Sequence, residues 1–195
     1  MEYICSIHRT GEELMQRRIQ MLFEQIELVL VPLINPVGYY RNEPGERLTD
    51  EMIQILQAEG INMEEIDVRT DFPYDQEDPR NCLNSISARI LFKLMTENSF
   101  NAALQLHGGG NLIGYPWGSP SKTRTSRFVN EAYQNPDEVA YEKIAKVMRD
   151  QAGSFNYLED VTFSTVNYRT GAVGTEVFPL PGRFVDWSYA AAWDR

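Results

Sequence analysis

The sequence predicts a layered α/β domain, and three features of the chain support that fold class. Helical segments and short strands alternate along it, each helix carries one apolar face, and the strands are near-continuous runs of aliphatic residues. Such runs are typical of strands that are covered on both sides. Alternating helices and strands therefore indicate a sheet between layers of helices.

Two helices are predicted in the first third of the chain. Aliphatic side chains recur at helical spacing over 12–26. The segment 48–60 also has helical character, with Thr49 or Asp50 as its N-cap and Gly60 as its C-terminal stop.

Two further helices are predicted in the middle of the chain. The segment 82–99 is strongly amphipathic, and its apolar face is formed by Ile86, Ile90, Leu91 and Leu94. The segment 136–153 starts with Pro136, carries acidic residues early and stops at Gly153, which is the usual order of helix start and stop signals.

Two buried strands are predicted between these helices. One spans 27–36 and is stopped by Pro36, and the other is the apolar run 103–106 that leads into His107. The segment 61–81 has no clear period and is predicted to be a long loop, a type of segment that is usually functional or disordered.

Composition limits the classes of protein to which the chain can belong. Its 195 residues, 43% of them hydrophobic, suit a single domain over 1–195 with a real core. The net charge of −10 argues against a nucleic-acid partner. No run approaches the ~20 apolar residues of a membrane span, and no signal segment starts the chain, so no membrane partner is expected and the cytoplasm is the default compartment. Nothing indicates the oligomeric state.

The chain has only two histidines, His8 and His107, and each ends a short apolar stretch. Sites in open α/β sheets form beyond the carboxyl ends of strands, which is where His107 is predicted to lie. Two imidazoles and a carboxylate from Glu12 or Glu13 make a zinc site with a position left for water. The alternative is two ordinary histidines, and a flexible turn at the three glycines that follow His107.

Four motifs occur in a fixed order: "LVPLINPVGYY", "IDVRTDFPYD", "LQLHGGGNLIGYPWGS" and "PLPGRFVDWSYAAAWD". Together they resemble the zinc metallocarboxypeptidases of the carboxypeptidase A type, over nearly the whole chain. The resemblance implies a three-layer α/β/α sandwich around a central mixed sheet. It also implies one zinc ion held by a His-x-x-Glu pair and a later histidine. His107 matches the later ligand and His8 the first; Glu12 is the nearest match to the glutamate, with Glu13 as the second choice, because position 11 is glycine.

The resemblance also suggests substrate-binding residues. The family motif Asp-x-Asn-Arg-(Asn/Asp)-Phe-Pro supplies an arginine for the terminal carboxylate of a peptide, a task suited to a planar guanidinium. Here Arg69 stands one residue early and Thr70 takes its place. Arg41 and Arg47 lie where the family has further substrate-binding arginines, and the alternative for both is a solvated loop charge.

The end of the chain departs from the family pattern. The family's general base is a Glu on a strand well after Asp-Trp-x-Tyr, but only six residues, none of them Glu, follow Tyr189, and Glu176 precedes the motif. No catalytic residue is therefore identified, and a missing base is expected to lower turnover by ~10²–10⁴. The C-terminal part of the fold is expected to be missing.

The sequence thus predicts a zinc-dependent carboxypeptidase-like peptidase that hydrolyses C-terminal residues of peptides or proteins. The alternative is an inactive family member, or a fragment, that binds peptides or proteins. The aromatic residues near the motifs either line a substrate pocket or pack beneath it; they are Tyr115, Trp117, Trp187, Tyr189 and Trp193.

Overall fold

The computed structural model describes residues 13–43, 45–60, 64–78, 80, 82–108, 110–152, 154–156 and 165–191. The chain divides into two compact units, Met1–Ile34 and Asn35–Arg195, which are described separately. The second unit combines helices with small two-stranded sheets, so the fold class is mixed α/β. A single domain over 1–195 stays a prediction.

The helices of the described residues include all four that were predicted. In chain order they are α1 Glu13–Gln25, α2 Pro36–Arg41, α3 Asp50–Ala58, α4 Ile86–Glu97, α5 Glu138–Ala152, α6 Val173–Glu176 and α7 Phe184–Ala190. Two 3₁₀ turns lie at Val68–Thr70 and Pro120–Lys122. Among the described residues, no helix is long and apolar enough to cross a membrane.

Side-chain caps explain where several helices begin. The Thr49 hydroxyl accepts a hydrogen bond from the third residue of α3, and the Ser85 hydroxyl accepts one from the Ala88 N–H in α4. At the other end of α3, Gly60 has φ +81, a conformation that glycine adopts without strain. Local chemistry therefore determines these ends, as the sequence predicted.

The strands are short and form pairs. They are β1 Glu46–Arg47, β2 Glu65–Ile66, β3 Leu112–Tyr115, β4 Thr123–Thr125, β5 Asn130–Ala132, β6 Ser154–Asn156, β7 Thr165–Asn167 and β8 Arg169–Ala172. Three pairs are antiparallel: β1–β2, β4–β5 and β6–β7. The fourth, β3–β8, is parallel and sets Leu112 opposite Arg169 and Tyr115 opposite Ala172. Helix α5 packs against this parallel pair, largely through Ala145.

Both predicted buried strands are absent from the described structure. Residues 27–35 form no strand, with Leu30 50% exposed, and Pro36 begins α2 instead. Residues 103–106 also form no strand, and Leu106 is 83% exposed. A strand needs a hydrogen-bonded neighbour to satisfy its backbone, and no described segment pairs with either stretch. The strand that does form in this region, β3, follows the glycines rather than preceding His107.

Aromatic side chains dominate the core of the second unit. Phe72 is fully buried and stacks on Trp187 of α7, with ring centroids 5.0 Å apart. On its other side Trp187 meets Phe92 of α4 at 5.1 Å. The segment around Phe72 is also pinned by its backbone, since the Phe72 N–H donates to the Gly182 carbonyl at 3.0 Å. Within the predicted long loop, the stretch around Phe72 is therefore packed against α7, and Glu65–Ile66 forms β2.

Candidate functional site

His107 lies in an exposed segment and interacts with the residue that follows it. Its ring Nδ1 is 2.8 Å from the Gly108 carbonyl oxygen. A neutral imidazole that donates from Nδ1 keeps the lone pair of Nε2 available. Metal-binding histidines are commonly oriented in this way, by a hydrogen bond from the ring nitrogen that does not bind the metal. The His107 environment therefore fits a zinc ligand.

Two of the glycines after His107, Gly108 and Gly110, have no structural requirement for glycine. Gly108 and Gly110 have no left-handed φ, and a Cβ at either position would meet no atom within 4 Å. At Gly118, in contrast, a Cβ would lie 2.7 Å from Arg183 Cδ, and at Gly182 it would lie 2.0 Å from the Thr70 carbonyl oxygen. Gly118 and Gly182 are thus explained by packing. Gly108 and Gly110 instead border open space, one and three residues after His107.

The other two expected zinc ligands, His8 and Glu12, lie outside the described residues. Glu13, the second choice for the glutamate, is the first residue of α1, where its exposed carboxylate pairs with Arg17 one helical turn later. Within the described part of the chain, no three His, Cys, Asp or Glu side chains come together as a metal site. The fit to zinc thus rests on the single described donor, His107.

Arg69 is committed to a neighbouring carboxylate. Its Nε donates to Asp67 Oδ1 at 2.8 Å and its Nη2 to Oδ2 at 2.6 Å, so the guanidinium holds the carboxylate with both arms. Asp67 Oδ1 also caps the 3₁₀ turn by accepting the Arg69 N–H at 2.9 Å. Burial acts to raise the pKa of Asp67, but the hydrogen bonds from Arg69 outweigh it and the pKa is lowered. A peptide carboxylate would have to compete with Asp67 for this arginine.

His107 and Arg183 both interact electrostatically with the Asp67–Arg69 pair. A positive charge on His107 is close enough to lower the pKa of Asp67 further. Burial lowers the pKa of the Arg183 guanidinium, and the charges of Asp186, Arg69 and Asp67 also act on it. Sequence reasoning missed Arg183. The available signal was its spacing of three residues from Asp186, which places the two on neighbouring turns of one helix end.

The remaining predicted substrate-binding residues are placed differently. The Thr70 hydroxyl donates to the Asp67 carbonyl at 3.2 Å and is thereby part of the 3₁₀ turn. Arg41 is the exposed last residue of α2, and Arg47 is exposed on β1, opposite Glu65 in the register with β2. Of the three predicted arginines, Arg69 is thus the one that acts on Asp67, a carboxylate whose pKa a charge on His107 also lowers.

A buried carboxylate fixes the loop that follows β3. Both Asp186 oxygens accept the Gly118 N–H, at 2.8 and 3.0 Å, and the side chain is fully buried. Burial raises the pKa of Asp186 to about 6, although the Gly118 hydrogen bond and the nearby Arg183 charge oppose the rise. The buried Ser119 hydroxyl also acts to lower this pKa, yet it has no partner of normal hydrogen-bond geometry in the described chain, so we attribute its effect to proximity. Asp186 therefore joins α7 to this loop.

The aromatic residues near the motifs pack beneath the surface. Tyr115, Trp117, Trp187 and Tyr189 are all buried. Trp117 stacks with Tyr74 at 6.0 Å and meets Tyr189 edge to face at 5.1 Å, while the Tyr189 hydroxyl donates to Asp137. Of the two alternatives raised by the sequence, packing describes these four residues; Trp193 lies outside the described residues.

Glu176, the glutamate that precedes the Asp-Trp-x-Tyr motif, already has a partner. Arg169 Nη1 lies 3.0 Å from its Oε2, and the Glu176 side chain packs against Gly171, where a Cβ would lie 2.7 Å from its Cγ. The structure thus offers no reason to assign Glu176 as a general base.

Comparison with known proteins agrees with the motifs. The family model described as zinc carboxypeptidase matches residues 8–193. The chain is also 22% identical, over 173 residues, to Carboxypeptidase SOL1 from Arabidopsis thaliana. This match covers 87% of the chain but only 30% of the length of the Arabidopsis protein. The match to the family model over nearly all of its length shows that the chain belongs to the zinc carboxypeptidase family.

Proposed function

We propose that the chain carries the metal-binding part of a carboxypeptidase-type peptidase that removes C-terminal residues from peptides or proteins. The observation that carries the proposal is the pairing of His107 with two glycines that neither packing nor backbone strain explains. Family membership supports it, because the matched region contains all three expected ligands. The three-layer α/β/α sandwich is proposed as the fold in which these ligands meet.

His8, Glu12 and His107 are the residues proposed to hold one zinc ion. Bound zinc supplies Lewis-acid activation of a water molecule and of a peptide carbonyl. His107 contributes Nε2, while its Nδ1 hydrogen bond to Gly108 sets the ring orientation. Gly108 and Gly110 contribute space, because a substrate backbone can approach where no side chain stands.

Arg69 is proposed as the residue that binds the terminal carboxylate of the substrate. The proposal is supported by the hydrogen bonds from Arg69 to Asp67 and by the effect of a charge on His107 on the pKa of Asp67. Binding would require Arg69 to release the Asp67 carboxylate and to donate its hydrogen bonds to the substrate carboxylate, which is an acceptor of the same kind. Thr70 and Arg41 are weaker candidates. The Thr70 hydroxyl is already hydrogen-bonded within the 3₁₀ turn, and Arg41 is the last residue of α2.

A peptide-binding module without turnover is the second candidate function. It is favoured by the ion pair between Glu176 and Arg169, because Glu176, the glutamate that precedes the Asp-Trp-x-Tyr motif, is thereby engaged within the chain. A binding module would keep the carboxylate recognition of the peptidase and lose only the proton transfer.

The experiment that separates the two functions uses one peptide with a free C-terminus and the same peptide with an amidated C-terminus. Binding is measured by calorimetry and cleavage by mass spectrometry, in the presence of zinc. Cleavage of the free peptide supports a peptidase. Binding without cleavage, together with loss of binding on amidation, supports the module. Equal affinity for both peptides would contradict both functions.

The chain supplies a matched control for Arg69. Arg80 holds Asp78 in the same way, with the Arg80 N–H donating to Oδ1 at 2.9 Å and Nη2 to Oδ2 at 2.7 Å. Both pairs are Asp-x-Arg sequences on the surface. Arg69→Gln is expected to weaken binding of the free peptide at least ten-fold, since a charge-assisted hydrogen bond contributes about 1.5–3 kcal/mol. Arg80→Gln is expected to leave the affinity unchanged.

A further inference from the structure

The β4–β5 hairpin has a well-defined tip. Ser126 closes it: its N–H donates to the Val129 carbonyl at 2.9 Å, and its hydroxyl donates to the same carbonyl at 2.9 Å. The hydroxyl oxygen also lies 3.1 Å from the Val129 N–H and 3.4 Å from the Phe128 N–H, both of which donate to it. These bonds fix the backbone of residues 126–129, so the tip presents its side chains in a set arrangement.

The base of the same hairpin is anchored in the core. Thr123 is buried and its hydroxyl donates to the Ser119 carbonyl at 2.9 Å. The Ala132 N–H donates to the Thr175 hydroxyl at 2.9 Å, which ties β5 to α6. Gly174 has no room for a side chain, since a Cβ there would lie 2.4 Å from the Thr123 hydroxyl. The hairpin is thus rigid at its base as well as at its tip.

The tip combines exposed apolar side chains with positive charge. Phe128 and Val129 are adjacent hydrophobic residues, and their side chains are 87% and 62% exposed. The Arg127 guanidinium carbon lies 5.8 Å from the Phe128 ring centroid, and Arg124 and Lys122 follow along β4 and the turn before it. We define the basic hairpin as residues 122–129.

The basic hairpin differs in charge from the rest of the chain. The chain has 28 acidic and 18 basic residues, yet residues 122–129 contain three basic residues and no acidic one, and the one acidic residue on β5 is Glu131, opposite Arg124. Within the described part of the chain, none of these three side chains belongs to an ion pair. Lys122 lies 5.4 Å from the Trp117 ring centroid, whereas Arg124 and Arg127 are exposed, so the charges of these two arginines are the ones an external anion can reach.

We propose that the basic hairpin docks on an anionic lipid surface, with Phe128 and Val129 inserted among the headgroups. Two neighbouring apolar side chains at a narrow tip are too little for a stable protein interface, which buries about 800 Å² on each partner. A lipid surface needs no complementary shape, and basic residues beside apolar ones are what such a surface attracts. The negative charge elsewhere is screened beyond about 10 Å, so it orients the chain without preventing contact.

This contact is peripheral and differs from a membrane span. The expectation of no membrane partner rested on the absence of a spanning run and of a signal segment, and neither observation describes a local basic tip. The proposal also does not depend on peptidase activity, because none of its residues belongs to the proposed zinc or carboxylate sites.

The experiment is co-sedimentation of the chain with phosphatidylcholine vesicles, with and without phosphatidylserine, at about 0.1 M salt, where charges are screened beyond about 10 Å. The chain is expected to sediment only with phosphatidylserine present. The double variant Arg124→Gln, Arg127→Gln is expected to bind about 25-fold more weakly, which corresponds to about 1 kcal/mol for each cation. The double variant Phe128→Ser, Val129→Ser is expected to lose binding at least ten-fold. Thermal unfolding of each variant should match that of the wild type, because these side chains form no hydrogen bond that holds the turn.

Tyr40→Ser is the matched control for the tip. Tyr40 is an aromatic residue beside an arginine and is 90% exposed, but it lies on α2 rather than on the hairpin. Its loss is expected to leave vesicle binding unchanged. Absence of sedimentation with phosphatidylserine, or equal sedimentation of the wild type and the Phe128 and Val129 variant, would overturn the proposal. Binding of a soluble glutamate-rich peptide without binding of vesicles would also overturn it, and would assign the hairpin to an acidic protein segment.

Discussion

Asp186 gives the most quantitative prediction, because its carboxylate is fully buried and faces a backbone N–H rather than a full ion pair. The perturbation is Asp186→Asn, which keeps the shape of the side chain and one acceptor oxygen for Gly118 but cannot ionise. In the wild type, burial raises the Asp186 pKa from 3.8 to about 6. Between pH 3.8 and about 6, Asp186 therefore keeps its proton in the folded protein, whereas it has released the proton in the unfolded chain.

The sign of the effect follows from proton linkage. A pKa raised by folding contributes stability that is fully present below the unfolded pKa of 3.8 and is lost as the pH rises through about 6. Each pKa unit is worth 1.36 kcal/mol, so the wild type should lose at most about 3 kcal/mol between about pH 4 and 6 relative to the asparagine variant. Above about pH 6 the difference should stay constant.

The assay is urea unfolding at closely spaced pH values from about 4 to 8, which gives the free energy of unfolding of the wild type and of the variant at each pH. The difference between the two proteins isolates Asp186 from the other carboxylates. Asp150→Asn, at an exposed position on α5, serves as the control and should follow the wild type. A variant that shows the same pH slope as the wild type, or a wild type that gains stability relative to the variant with rising pH, would refute the reasoning.

Four further substitutions test the glycines, a helix cap and the core packing. Gly182→Ala should destabilise the protein by about 2–4 kcal/mol, because the left-handed backbone and the clash with Thr70 add together. Gly108→Ala should change the free energy of unfolding by less than about 1 kcal/mol. Equal losses for the two variants in a urea titration would contradict this difference. Glu46→Ala removes the carboxylate that accepts the first two N–H groups of α4, at 2.6 and 3.0 Å, and should cost about 0.5–2 kcal/mol; an unchanged melting temperature would show that this cap contributes nothing. Phe72→Ala empties a fully buried position and should cost about 3–5 kcal/mol by chemical unfolding, and a loss below about 1 kcal/mol would show that the stack on α7 is not a core contact.

The helices could be predicted from the sequence because their signals are local. The Thr49 cap, the left-handed Gly60 and the apolar face of α4 each depend on residues within a few positions of one another. The same reasoning failed for 27–36 and 103–106. An aliphatic run records a preference for burial, but a strand also requires a hydrogen-bonded neighbour that is distant in sequence, and no local pattern specifies that neighbour.

The candidate site was predicted in part. The order of the motifs predicted the family, which the match over 8–193 confirms. The commitment of Arg69 to Asp67 follows from their spacing of two residues around a tight turn, yet only the structure shows both oxygens engaged. Arg183 was missed because its relation to Asp67 and Arg69 is tertiary. The β4–β5 hairpin was not predicted, since composition alone does not show which apolar residues a turn exposes.

Zinc content tests the central claim most directly. The chain would be purified, checked for cooperative unfolding, and analysed for metal by elemental analysis beside the His107→Ala variant and a Gly110→Ala control. The account predicts near-stoichiometric zinc in the wild type and in the control, and its loss when the imidazole is removed. A folded wild-type chain that binds no zinc, or a His107→Ala variant that retains it, would contradict the proposed site on His8, Glu12 and His107.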